Sequence, residues 1–197
     1  MTSSHSQKTT GTSPPLPVHY EDEQLLIINK PANVLSQADH TGDPDVYNLC
    51  KQYLDRKTGK NSFVGLLHRL DRPVSGLMVL AKNKNSAQIL SQQIREQFMQ
   101  KTYWAVVHGI TAINGVLIHR LEKNRETNIV SVANQNAAQS QRAELAFQRL
   151  ALNNDLSLLQ IHLQTGRSHQ IRVQFATEGH PVWGDLKDGK ESSNPQQ

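Results

Sequence analysis

The stretch that most restricts what this chain can fold into is 142–163, where two strand-like arms, 142–150 and 156–163, flank Asn153-Asn154-Asp155. Asn and Asp tolerate the left-handed backbone that a tight turn demands, so the arms read as one antiparallel hairpin. Strand patterns also cover 103–107, 116–121 and 128–132, which makes the half of the chain from Thr102 onward strand-rich. A last helix is expected after Ser168 as N-cap, carrying Ile171, Phe175 and Ala176 inward and stopped by Gly179 and Pro181.

The first half alternates strands with helices. Val18-His19-Tyr20 and 25–29 flank the acidic turn Glu21-Asp22-Glu23, and Pro31 ends the second strand. Val46, Leu49, Cys50, Tyr53 and Leu54 recur at helical spacing, with Asp43 or Asp45 as cap. A strand over 63–67 and another over 77–81 bracket a loop that ends at Gly76, and 86–98 carries Ala87, Leu90, Ile94 and Phe98 on one helical face that should pack on the sheet. Runs of strands with segregated helices predict an α+β fold on a mainly antiparallel sheet.

A chain of 197 residues is long enough for one well-buried domain. Residues 18–187 are assigned to it, with 1–17, rich in Ser, Thr and Pro, as a disordered leader and 188–197 as a polar tail. Lys and Arg exceed Asp and Glu by 21 to 17, a net charge of +4 that suits phosphate backbones and equally suits an ordinary basic surface. The single cysteine, Cys50, sits in an apolar helical pattern and reads as a buried thiol in a reducing compartment. No run of 18 apolar residues occurs, so no membrane span is expected.

The chemistry concentrates in the loop after 63–67, His68-Arg69-Leu70-Asp71-Arg72-Pro73-Val74-Ser75-Gly76. A carboxylate delivered by a buried strand into a basic setting can stay ionised and serve as a nucleophile or base at neutral pH, which singles out Asp71. A loop between two core strands also gives a functional side chain rigid flanks.

This stretch resembles the HRLD-x-x-[TS]-S-G signature of the RluA-type RNA pseudouridine synthases. Leu163-Gln164-Thr165-Gly166-Arg167-Ser168-His169-Gln170-Ile171-Arg172 is similar to the family's TGR-[TS]-HQ-[IL]-R block, and Gly179-His180-Pro181 with Gly184-Asp185 to the G-x-P-x-x-GD that follows it. Asn29-Lys30-Pro31 and the 101–109 strand add weaker agreement, so the resemblance spans roughly 18 to 187. It implies a curved mixed sheet with flanking helices and an RNA-binding cleft. It also implies an isomerase that converts a uridine of rRNA or tRNA to pseudouridine with no cofactor and no metal, as a cytoplasmic monomer.

By the same resemblance, Asp71 is the catalytic carboxylate and Arg172 its arginine partner, while Tyr103 stacks on the flipped uracil near its C5 proton. Arg69 would enter the RNA stack where the target has left, its planar guanidinium suiting bases and phosphate alike. His68, Arg72, Arg167 and His169 are further RNA contacts or supports of the loop, and Lys30 stabilises the fold. Each has a plainer reading: an isolated Arg172 would more often be an ordinary ion pair, and a Tyr in Tyr103-Trp104-Ala105-Val106-Val107 more often core.

Two departures from the family pattern stand out. Val74 replaces the usual Thr, and after Gly184-Asp185 the chain runs into Leu186-Lys187-Asp188-Gly189-Lys190 instead of a Tyr-Gly turn and further strands, so C-terminal strands are expected to be missing. That leaves an alternative, a catalytically impaired RNA-binding protein derived from the same fold. A metal-dependent hydrolase built on His68, Asp71, His169 and His180 is disfavoured, because no recognised ligand spacing is present.

Overall fold

The computed structural model describes residues 16–124, 126–127, 129–134 and 137–185. The leader expected over 1–17 therefore lies outside the described residues except for Leu16 and Pro17, and the polar tail over 188–197 lies outside them entirely. Within the stretch assigned to one domain the chain forms two compact units, Met1–Glu96 and Gln97–Gln197.

The first unit holds a four-stranded antiparallel sheet in the order β1-β2-β4-β3, built from β1 (Val18–Glu21), β2 (Leu25–Lys30), β3 (Gly65–Leu66) and β4 (Gly76–Ala81). The acidic turn between β1 and β2 closes because the Asp22 carboxylate accepts the amides of Gln24 and Leu25, both at 2.7 Å. Alternation along β2 buries Leu26, Ile28 and Lys30, and their β4 partners Leu80 and Met78 are buried with them. Each fully buried Leu, Ile or Met contributes about 1.5–3 kcal/mol over leaving it in water.

Helix α1 (Val46–Thr58) starts at Asp45, whose side chain accepts the Asn48 amide, and ends at Gly59 in the left-handed region. Val46, Cys50 and Leu54, at i, i+4 and i+8, form its buried stripe. Burial and then the nearby Asp45 charge push the Cys50 thiol up to about 12, which makes it an inert packing group, as its sequence context implied. Glu21 fastens strand to helix. Burial works against its charge, yet hydrogen bonds from Lys57, Lys82 and Tyr53 outweigh that and hold its carboxyl down to about 2.

Two expectations for this unit need correction. The strand foreseen over 63–67 shrinks to Gly65–Leu66, since only these two residues find β4 partners, Ala81 and Leu80. Helix α2 is Lys84–Arg95 and not 86–98: Asn83 caps it by accepting the Ser86 amide, and Gln97 at φ 62 breaks it, which leaves Phe98 outside the helix and 74% exposed.

The second unit is a five-stranded sheet in the order β5-β9-β8-β6-β7, formed by β5 (Lys101–His108), β6 (Asn114–Lys123), β7 (Val130–Val132), β8 (Gln141–Asn153) and β9 (Leu156–Leu163). Every strand pair in both sheets is antiparallel, so the mixed sheet implied by the resemblance is antiparallel among the described strands. The β8–β9 hairpin turns where the Asn/Asp run foretold it, with Asn154 at φ 52. Asn128, the first residue of the expected 128–132 strand, lies outside the described residues, and pairing begins at Val130.

One face of this sheet packs Leu145, Phe147, Leu159 and Ile161 with Val107, and Phe175 of helix α3 (Gln170–Thr177) closes on them, its ring 5.3 Å from that of Phe147 and edge-on. Gly115 on β6 sits directly opposite Phe147, where a Cβ would come within 2.7 Å of the ring, so glycine is required for the aromatic to lie flat across the strands.

Candidate active site

In the first unit Asp71 sits in the loop between β3 and β4, and the residues on both sides of it are tied down. Leu70 is buried, and its amide donates to the Ser36 hydroxyl at 3.0 Å while that hydroxyl donates back to the Leu70 carbonyl at 2.6 Å. The Arg72 carbonyl accepts from the Asn33 amide at 2.8 Å and from the Lys30 ammonium at 3.1 Å. Asn33 is itself left-handed, at φ 66. The turn closes through the Val74 amide, which donates to the Asp71 carbonyl at 3.0 Å. That bond is between backbone groups, so it does not depend on whether Thr or Val stands at position 74.

Lys30 organises this loop more than the sequence reading allowed. Its side chain is fully buried, and the ammonium donates to the carbonyls of Pro31, Val34 and Arg72 at 3.0, 2.7 and 3.1 Å. Burial lowers its pKa to about 8, and the negative charge of Asp71 works the other way. A lysine that is the last residue of an alternating strand, just before a proline, was the available signal; its three acceptors, one of them 42 residues away, were not.

The other first-unit candidates have separate tasks. His68 accepts the Val79 amide through Nε2 at 3.0 Å, which fixes the strand-to-loop transition. Arg72 forms an exposed ion pair with Asp43 at 2.8 Å. Arg69 projects outward between buried Leu70 and half-buried His68. Gly76, at φ 145, lets the loop re-enter the sheet.

In the second unit Tyr103 lies on β5, opposite Ile161, and packs partly buried against the Phe147–Phe175 core. The 163–172 block folds upon itself. Thr165 receives the Glu144 amide on its hydroxyl at 2.8 Å and donates that hydroxyl to Gln170 Oε1 at 2.8 Å. Gln170 also accepts the Arg167 amide at 3.0 Å and donates Nε2 to the Glu144 carbonyl at 3.1 Å. Helix α3 thus starts on a buried glutamine clamp. Ser168, expected as N-cap, does not serve: His169 occupies the cap position at φ 51 with no side-chain capping bond.

Arg172 makes a two-pronged ion pair with Asp185, Nε to Oδ2 at 2.7 Å and Nη2 to Oδ1 at 2.6 Å, with both side chains largely buried. Asp185, the last letter of the Gly184-Asp185 motif, is a positioning residue the sequence reading left without a role. Arg167 is exposed, with its Nε held by the Arg142 carbonyl at 2.9 Å. The structure therefore brings His68, Arg69, Asp71 and Arg72 onto one loop of the first unit, and places Tyr103, Arg167, His169 and Arg172 on the second. Among the described residues no cluster of His, Cys, Asp or Glu is arranged to hold a metal ion, and no helix is long and apolar enough to cross a membrane.

The chain is 35% identical over 176 residues to the ribosomal large subunit pseudouridine synthase C of Buchnera aphidicola, an overlap of 87% of this chain and 53% of the relative. It is 30% identical over 182 residues to the ribosomal large subunit pseudouridine synthase D of Zymomonas mobilis, covering 89% of this chain and 56% of that protein. The chain thus spans little more than half the length of these curated relatives. Among solved structures, human RNA pseudouridylate synthase domain containing 4 superposes with a TM-score of 0.76 at 22% identity, over 92% of this chain and 72% of that one, a likeness of fold. Its domain containing 1 counterpart follows at 0.73 and 23%, over 94% and 74%. With the RNA pseudouridylate synthase family profile matching residues 24–177, and the HRLD loop and HQIR helix both seated in that fold, the chain belongs to the RNA pseudouridylate synthases, of RluA type.

Proposed function

We propose that the chain is an RNA pseudouridine synthase that isomerises a specific uridine of ribosomal or transfer RNA, with Asp71 as its catalytic carboxylate. The observation that carries this reading is the suspension of Asp71: both neighbours, Leu70 and Arg72, are pinned by Ser36, Asn33 and Lys30, so the carboxylate is delivered by a loop with little freedom to move. Family membership and relatives that bear the synthase name supply the chemistry such a carboxylate would perform.

The isomerisation breaks the bond between C1′ and N1, turns the uracil, joins C5 to C1′, and exchanges the C5 hydrogen for a proton at N1. It is redox-neutral and calls for no co-reactant. Asp71 acts as nucleophile or base. Tyr103 offers a ring face for the extruded base and a hydroxyl for proton transfer at C5. Arg172, aligned by Asp185, supplies the fixed positive charge that a working carboxylate requires. Arg69, His68, Arg72, Arg167 and His169 are assigned to the RNA, and the protein to the cytoplasm as a monomer.

RNA carrying tritium at C5 of uridine tests the proposal. The chain should release label to water, with chelator present and no added cofactor, up to the stoichiometry of one modified site. The competing reading, an RNA-binding protein without turnover, predicts retention of label at full RNA affinity. No release from either rRNA or tRNA transcripts, with the intact RNA confirmed, overturns the synthase reading.

A further inference from the structure

The β6–β7 hairpin, the start of β8 and the segment leading into α3 enclose a cleft of about 270 Å³ that no catalytic role above uses. Its exposed lining is mainly polar, with buried Leu121 and Val130 at the base and Lys123, Gln139, Gln141 and Arg167 on the walls. Strand register explains why these groups converge. Leu121 pairs with Gln141 and Lys123 with Val130, and paired residues share a face, so the ammonium and the Gln141 amide rise on the same side as the apolar base. Glu122 also lines the cleft, but alternation turns its side chain to the opposite face.

The walls are held before any ligand arrives. Arg120 donates Nε to the Ser140 hydroxyl and Nη2 to the Ser140 carbonyl, both at 2.8 Å, and that hydroxyl donates to the Ala137 carbonyl at 2.7 Å, which fixes the turn that presents Gln139 and Gln141. Arg167 is anchored through Nε, which donates to the Arg142 carbonyl at 2.9 Å. Lys123 and Arg167 have no carboxylate partner among the described residues.

Two cations and two flanking amides around a mainly polar cleft with a narrow apolar base match one chemical object well. A nucleobase is flat and apolar on its faces, its edge carries donors and acceptors that a carboxamide can meet in pairs, and its phosphate needs a cation. We propose that this cleft is a subsite for one unpaired nucleotide of the RNA outside the reacting uridine, with Lys123 on its phosphate and Gln141 on its base edge. The proposal rests on the synthase reading and adds to it: the enzyme selects its RNA partly by a base it does not modify. A cleft of this size admits a single nucleotide and not a duplex.

The experiment uses the full chain and whichever unmodified transcript, rRNA or tRNA, loses tritium from C5 in its presence. Lys123→Gln should weaken binding to that transcript about tenfold at low salt and lower the log–log salt slope by about one, as one phosphate contact is lost. Gln141→Ala should weaken binding by a similar factor with the slope unchanged, because an uncharged base contact releases no counterion. Both should raise KM while kcat at saturating RNA and the melting temperature hold, since the two side chains are exposed and neither is one of the named catalytic residues. Affinities within twofold of the parent for both variants, on a transcript the parent modifies, overturn the subsite and spare the synthase reading. A parent chain that neither binds nor modifies any transcript overturns both.

Discussion

The two units hold their functional segments with opposite kinds of partner. In the first, the hydrogen bonds of the cation Lys30 go to three neutral carbonyls, and burial lowers its pKa to about 8 although the charge of Asp71 works the other way. In the second, the cation Arg172 meets a carboxylate, Asp185, in a two-pronged pair. Carbonyl acceptors orient a loop without adding a charge of their own. A carboxylate fixes a side chain more stiffly, at the cost of two buried ions that each depend on the other. The loop that carries Asp71 is built the first way, and the helix that carries Arg172 the second.

Removing the carboxylate itself should produce the largest contrast between the units. Asp71→Asn is expected to lower the isomerisation rate by at least about a thousandfold, because it deletes the nucleophilic charge, while RNA affinity and melting temperature change little. Tritium release near the parental rate would reject Asp71 as the catalytic group. Arg172→Met should do the reverse in stability: it strands Asp185 and costs on the order of 3–5 kcal/mol in chemical denaturation. Arg172→Met with Asp185→Leu should recover much of that loss. If the double variant is no more stable than the single one, the pair does not govern the fold of the second unit.

A smaller effect is expected where the second unit relies on shape and not on charge. Gly115→Ala places a methyl 2.7 and 2.9 Å from Phe147 ring carbons, in a backbone conformation that alanine can adopt, so the ring must move against Phe175. Overpacking of this kind costs about 1–3 kcal/mol. Gly115→Ala with Phe147→Leu should restore part of the loss, and equal stability of the single variant and the parent would show that the ring yields freely.

How much of this could be read from the sequence differed between the units for physical reasons. The β8–β9 hairpin was legible because its signal is local: Asn154 takes the left-handed turn its chemistry favours. The stripe Val46, Cys50, Leu54 of α1 was legible for the same reason, since periodicity reports burial directly. Helix α2 was misplaced at both ends because Phe98 fits the helical spacing, and the break at Gln97 is a backbone event with no residue signature. Ser168 looked like a cap, yet the start of α3 is held by Gln170, Thr165 and Glu144, a contact set that closes over 26 residues of sequence and is invisible to any local window. At the candidate site the motif letters named the residues, and only the coordinates tied Lys30 to Arg72 and Asp185 to Arg172. Long-range partners of single polar side chains are what pattern reading cannot reach.

The smallest expected effect is also the most direct test of the difference between carbonyl and carboxylate partners. Burial depresses the pKa of Lys30 in the folded chain to about 8, from the ordinary 10.5 that it regains on unfolding. Between those two values the unfolded chain binds more protons than the folded one, so the free energy of unfolding should rise with pH relative to a reference that lacks the amine. Below pH 8 both states are protonated and the penalty of the buried charge is felt in full; above 10.5 both are neutral and the gain is complete. From pH 8 to 10 the increment should be about 1–2 kcal/mol. The measurement compares urea denaturation of the parent and of Lys30→Met across that range, so that the alkaline titration of the other lysines and tyrosines, common to both proteins, drops out. Arg172, always charged and already matched by Asp185, has no counterpart to this response, and Arg172→Met should shift stability by an amount independent of pH over the same interval. A parent whose stability relative to Lys30→Met falls or stays level between pH 8 and 10 would mean that the three carbonyls stabilise the ammonium as well as a carboxylate would, and the contrast between the two units would disappear.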